Sequence, residues 1–267
     1  MNIEEKYETL QRILSGMGKV VIAFSGGVDS TFLLKAAHDV LGENVIAVTI
    51  TSPFHPEWEI KEAEEIAKEI GVQQVFIPVD LVPEIKDNPP QRCYLCKKYL
   101  FQRILSYAGE NGYPYVADGT NHDDTLDYRP GLKALKELRI RSPLLEAGLG
   151  KEEIRTLSKK MKLRTWDKPA YACLLTRIPY YQPVRISDLQ KIQSAEHFLM
   201  KLGFRQVRVR IHDNLARIEL GEDEFCNVLS PELLKKIHQK LKDLGFLYVT
   251  LDLEGYQTGK MNREIKG

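Results

Sequence analysis

No stretch of this 267-residue chain approaches the roughly 18 consecutive apolar residues that a membrane-spanning helix needs. The amino terminus, Met1-Asn2-Ile3-Glu4-Glu5-Lys6, is charged and lacks the apolar core of a secretion signal. The expectation is a cytoplasmic protein with no membrane partner. Neither sign of charge is in excess: 38 Lys plus Arg stand against 37 Asp plus Glu, a net charge of +1. Bulk electrostatics therefore gives no support for binding nucleic acid. Internal repeats and low-complexity runs are missing. With 43% apolar and 28% charged residues, the composition is that of a globular protein, and the length suits two domains. Cysteine is scarce. Four cysteines in a cytosolic chain make a poor disulfide framework, so they read as core thiols, metal ligands or reactive groups.

What is present falls into two patterns. Up to about residue 165, short apolar runs alternate with helical periodicity. The runs are Lys19–Phe24, Val45–Ile50, Gln74–Val79 and a fourth beginning at Pro114–Ala117. Helices are expected over 4–16, 29–41, 57–70 and 97–110. Strands that are apolar throughout, alternating with helices, predict a doubly wound parallel α/β sheet covered on both faces. Residues 166–186 are rich in Pro, Tyr and Arg and read as a functional loop. Beyond them a helix is expected over 187–202. A hairpin of Gln206–Ile211 and Leu215–Leu220 turns at Asp213-Asn214. A helix over 231–243 is capped by Ser230, and a last strand covers Phe246–Leu251. The expected domains are 1–168 and a smaller α+β domain, 169–267.

The sharpest motif is Ser25-Gly26-Gly27-Val28-Asp29-Ser30, after the first strand and opening a helix. Glycines let backbone approach an anion, and the helix end offers free N–H groups. The lysine of a Walker A loop is absent, and so is a GxGxxG fingerprint. The hexapeptide resembles the PP-loop of the ATP pyrophosphatases. That resemblance implies that Ser25 to Ser30 hold the pyrophosphate of ATP, with Mg2+, while a substrate oxygen attacks the α-phosphorus. Asp118-Gly119-Thr120-Asn121, with Asp123 and Asp124, follows the fourth strand. At the carboxyl edge of such a sheet, Asp118, Gly119, Thr120 and the pair Asp123 and Asp124 can face the nucleotide. Thr49 and Ser52, at the end of the second strand, have similar access.

Three cysteines narrow the reading. Cys93 and Cys96 form a CxxC in a Pro-rich stretch, and Cys173 lies in Lys168-Pro169-Ala170-Tyr171-Ala172-Cys173. Cys226 reads as a small buried hydrophobe. A zinc site, a redox pair, unligated thiols or a 4Fe-4S cluster with one open iron are all compatible with the three. Lys168 and Arg177 flank Cys173 at five and four residues and are candidate helpers of a sulfur nucleophile. Arg208 and Arg210, two apart on a strand, share one face and suit a phosphate group.

Taken together, SGGVDS, PPQRCYLCK, DGTN, RSPLLEAGLGKEEIR, WDKPAYACLLTRIPY and VRVRI resemble the LarE family over most of the chain. The resemblance implies an ATP-dependent sulfur transferase acting on a small nucleotide, pyridinium-3,5-biscarboxylic acid mononucleotide. It implies Cys93, Cys96 and Cys173 as ligands of a 4Fe-4S cluster, a sulfide donor as partner, and a homo-oligomer. Other members carry only the cysteine matching Cys173 and give up its sulfur. The alternatives are a PP-loop tRNA thiolase, disfavoured by the even charge, or a protein that binds ATP without turnover.

Overall fold

The computed structural model describes residues 2–126, 130–169, 172–257 and 259–263. Two compact units divide the chain: Met1–Val82 with Gln91–Tyr171, and Pro83–Pro90 with Ala172–Gly267. Ala170 and Tyr171 of the cysteine segment, and the side chain of Cys226, lie outside the described residues.

The first unit holds β1 (Val20–Ala23), β2 (Val45–Thr51), β3 (Gln74–Pro78) and β4 (Tyr115–Ala117), all parallel, in the order β3-β2-β1-β4. Its longer helices are α1 (Ile3–Met17), α2 (Val28–Leu41), α3 (Glu57–Ile70) and α4 (Arg92–Glu110). The strands are apolar throughout because each face packs on a different core. Val20 and Ile22 join Phe32, Leu33, Ile66, Ile154 and Leu157 on one face. Val21, Ile46 and Val48 join Phe101, Ile104 and Ala108 of α4 on the other. This is the doubly wound α/β sheet that the alternation predicts. From β1 the chain runs outward to β2 and β3, then crosses back to place β4 on the other side. That reversal opens a crevice beyond the carboxyl ends of β1 and β4.

Two local readings change. Helix α4 begins at Arg92, five residues before the expected start, so Cys93 and Cys96 are helical rather than in a Pro-rich loop. The prolines end at Pro90, just ahead of the helix, where they do not interrupt its hydrogen bonds. Between β4 and the cysteine segment lie three short helices: α5 (Gly131–Glu137), α6 (Pro143–Glu146) and α7 (Lys151–Lys160).

The second unit contains α8 (Ile186–Lys201), β5 (Val207–His212), β6 (Leu215–Leu220), α9 (Pro231–Asp243) and β7 (Tyr248–Leu251). β5 and β6 form the expected hairpin, with His212 opposite Leu215 and the turn residue Asp213 at φ 52°. β7 pairs parallel with β6, so α9 is the crossover of a β–α–β unit. Ser230 caps α9 by accepting from the Leu233 amide at 3.2 Å, with Pro231 at the first helical position. Among the described residues, no helix is long and apolar enough to cross a membrane.

Candidate active site

Gly27 is the N-cap of α2 in an extended conformation, so the amides of the first α2 turn point out of the helix end at the carboxyl edge of β1. Val28 opens the helix and is buried. Gly26 has φ +69°, and a Cβ there would lie 2.9 Å from the Ala63 Cβ. The Ser25 and Ser30 hydroxyls are 3.1 Å apart, and Ser30 Oγ donates to the Gly27 carbonyl at 3.3 Å. Lys168 grips this loop: its Nζ donates to the Gly26 carbonyl at 2.9 Å and to Glu62 at 2.7 Å. Its ammonium thus belongs to the loop of the first unit, a placement that its nearness to Cys173 in sequence does not suggest.

The loop after β4 packs directly on this cradle. A Cβ on Gly119 would sit 2.9 Å from the Ser30 amide nitrogen. Asp118 is buried and accepts from the Thr120 hydroxyl at 2.6 Å, the Ser142 hydroxyl at 2.7 Å and Lys97 Nζ at 3.4 Å. Asp29 accepts from Lys151 Nζ at 2.6 Å and from Asn121 Nδ2 at 3.3 Å. The acidic pair serves the scaffold: Asp124 accepts the Asn121 amide at 3.0 Å, and Asp123 accepts the Lys151 amide at 2.7 Å. Lys97, Ser142 and Lys151 were not anticipated. They reach Asp118 or Asp29 across 21, 24 and 122 residues of chain, so no local pattern marks the contacts.

Beside Ser25 lies a cavity of about 160 Å³, walled by Val48, Ile50, Ile60, Leu100, Phe101 and Ile104. Thr49 also lines it, but its hydroxyl is committed: it donates to the Phe24 carbonyl and accepts from Gln74, both at 2.7 Å. His55 lines the cavity with its Nδ1 2.9 Å from the Ser52 hydroxyl, and burial lowers its pKa from 6.5 to about 4. At neutral pH the ring is uncharged.

Cys93 is exposed and Cys96 half-buried, three residues apart on one face of the first turns of α4. In the second unit, Cys173 is half-buried and heads the 3-10 turn Leu174–Arg177. Arg177, the other candidate helper of the sulfur nucleophile, is 1% exposed. It is held by Glu196 through two bonds of 2.9 Å and donates to the Ala172 and Cys173 carbonyls at 2.6 and 3.1 Å. It fixes the backbone that carries the thiol. Among the described residues, no three His, Cys, Asp or Glu side chains are gathered to hold a metal.

Arg208 and Arg210 share a strand face, as the spacing requires, but that face is covered. Arg208 is 3% exposed and stacks 5.1 Å from the centre of the Tyr256 ring. Arg210 pairs with buried Glu219 at 2.6 and 3.0 Å and donates to the Thr176 carbonyl. Alternation reported the strand geometry; it could not report that the second face would also be buried. Arg210, His212, Arg217, Lys260 and Arg263 nevertheless border a cavity of about 350 Å³ with Asp252 and Glu254.

A parallel sheet with an anion cradle at its point of reversal, the cradle carrying the sequence SGGVDS, is that of the PP-loop ATP pyrophosphatases. The NAD synthase family model matches residues 3–92. The chain is 43% identical to a protein of Synechocystis, over 98% of this chain and 99% of that one. It is 39% identical to the pyridinium-3,5-bisthiocarboxylic acid mononucleotide synthase of Lactiplantibacillus plantarum, over 96% and 94%. A protein of Methanocaldococcus jannaschii is 34% identical over 96% and 95%. The chain belongs to the pyridinium-3,5-bisthiocarboxylic acid mononucleotide synthase family, LarE.

Proposed function

We propose that the chain is an ATP-dependent sulfur transferase that converts pyridinium-3,5-biscarboxylic acid mononucleotide to its thiocarboxylate. One observation carries the reading: an anion cradle opening α2, in a chain that matches the named synthase over 96% of its length. A carboxylate resists nucleophilic substitution because its leaving group would be oxide. Adenylylation converts it to a mixed anhydride from which AMP departs. The amides of the loop from Gly26 to Ser30 hold the pyrophosphate of ATP, and Lys151, now on Asp29, supplies the positive charge that the missing Walker lysine would. The purine lies in the apolar cavity beside Ser25.

Mg2+ is commonly held by one or two carboxylates together with substrate phosphates. Asp29 and Asp118, at the mouths of the two loops, fit that requirement. For the sulfur step, Cys93, Cys96 and Cys173 are the thiols that would hold a 4Fe-4S cluster, since three thiolates suit such a cluster and leave its fourth iron open. When bound, such a cluster supplies an iron that can carry an exogenous sulfide. The protein's own part is to keep sulfur as thiolate or sulfide, because a thiol is a weak nucleophile. Arg210 and the basic residues around the second-unit cavity take the 5′-phosphate. In this reading the chain works as a homo-oligomer, which sedimentation would test. The test of the whole reading is substrate-dependent release of AMP and pyrophosphate; ADP and phosphate would exclude it.

A further inference from the structure

We propose that Asn88 is a positioning residue for the sulfur-transfer half of the reaction, fixing the backbone that bears Cys173. The proposal rests on the sulfur-transferase reading and adds what holds the loop in place. Asn88 lies between β3 and α4 in sequence, five residues before Cys93, yet packs in the second unit. It is 0% exposed, with φ 47°, a left-handed backbone that Asn tolerates better than most side chains.

Its Nδ2 lies 3.3 Å from the Leu175 carbonyl, 2.7 Å from that of Ile178 and 3.0 Å from that of Pro179. These oxygens follow Cys173 by two to six residues. The orientation of the amide is fixed by chemistry: turned over, Oδ1 would face three carbonyl oxygens. Oδ1 itself is buried with no hydrogen-bond partner among the described residues, so the amide is not placed for its own satisfaction. The backbone adds two ties, Tyr181 N–H to the Asn88 carbonyl at 3.3 Å and Val184 N–H to the Lys86 carbonyl at 2.7 Å.

Arg177 holds the Ala172 and Cys173 carbonyls in the same segment. The thiol is thereby bracketed: carbonyls 172 and 173 are held by a guanidinium, and 175, 178 and 179 by one amide. Apart from a single 3-10 turn, no regular structure holds the described residues of this segment. Only asparagine meets both needs of the position, a left-handed backbone and a short side chain with two donors. Glycine meets the first alone. Aspartate has the shape but no donors.

The test uses the full-length protein with Asn88→Gly and Asn88→Asp. Two half-reactions are read separately: pyrophosphate release with ATP and the pyridinium dicarboxylate mononucleotide without a sulfur donor, and thiocarboxylate formation in the complete anaerobic mixture. The alkylation rate of Cys173 by iodoacetamide is measured on metal-free protein by peptide mass spectrometry. Expected in both variants are pyrophosphate release within about twofold of the parent, thiocarboxylate formation lower by about tenfold to a hundredfold, and a changed alkylation rate at Cys173. Parent-level thiocarboxylate formation in both variants, or a parallel fall of both half-reactions, would overturn the proposal. If the parent itself releases no pyrophosphate, the functional reading fails instead. Alkylation then still decides: an unchanged rate at Cys173 contradicts positioning by Asn88.

Discussion

Lys151 occupies the first position of α7, where a cation opposes the helix dipole. Two carboxylates compensate: Asp29 takes its ammonium and Asp123 its amide. A lysine in a locally unfavourable place, within the segment RSPLLEAGLGKEEIR, is a sequence signal that draws attention to it. Lys151→Ala should weaken ATP-dependent turnover by roughly tenfold to a hundredfold, the worth of one charge-assisted bond. Steady-state kinetics checks this, and parent-like kcat/KM for ATP would remove Lys151 from the site. Arg210 calls for a different test. Among the described residues, Arg210→Ala leaves Glu219, at 0% exposure, with only Arg217 at 3.4 Å as an ion-pair partner. The expected loss is about 3 kcal/mol of stability, read by denaturant titration. His55 gives a pH signature. Its folded pKa, about 4, lies below the ordinary 6.5. Between those values the unfolded chain binds the extra proton, so stability falls as pH drops through that window, by up to about 3 kcal/mol in total. His55→Gln should flatten that limb of the stability curve.

The two glycine-bearing loops make contrasting demands on backbone. Gly119 abuts the backbone of Asp29 and Ser30, whereas a Cβ at Gly27 would meet only Ser25 Oγ at 3.5 Å. Gly119→Ala should therefore pry the loop after β4 off the cradle and raise the Kd for ATP more than it lowers the melting temperature. Gly27→Ala should leave the fold intact. Calorimetric titration with ATP, beside a thermal melt, separates the two; equal ATP affinity in Gly119→Ala and the parent would refute the contact. Elements of this kind were legible where periodicity and burial agree. The runs at 19–24 and 45–50 read as buried strands, and strands form there over Val20–Ala23 and Val45–Thr51, because no polar residue interrupts Val20–Ala23 or Val45–Val48. Ser230-Pro231 announced α9 through its cap. The start of α4 was missed because Arg92 to Cys96 lacks apolar periodicity; its helicity comes from the tertiary setting. The burial of Arg208 and Arg210 was missed because alternation specifies two faces, and only tertiary packing decides whether the second one meets water.

At the scale of the molecule, both units carry parts of the proposed chemistry. The first holds the anion cradle, Asp29, Asp118, Cys93, Cys96 and the apolar cavity; the second holds Cys173 and the basic cavity. Family membership follows from full-length similarity, and the PP-loop identified the class from six residues. The tRNA-thiolase alternative gains nothing from the comparisons that span nearly the whole chain. The measurement that bears most directly on the central claim is mass spectrometry of the products after anaerobic incubation with ATP, Mg2+, sulfide and pyridinium-3,5-biscarboxylic acid mononucleotide. The account predicts AMP and pyrophosphate, together with a nucleotide in which sulfur has replaced a carboxylate oxygen. Unchanged dicarboxylate, or ADP as the nucleotide product, would contradict it.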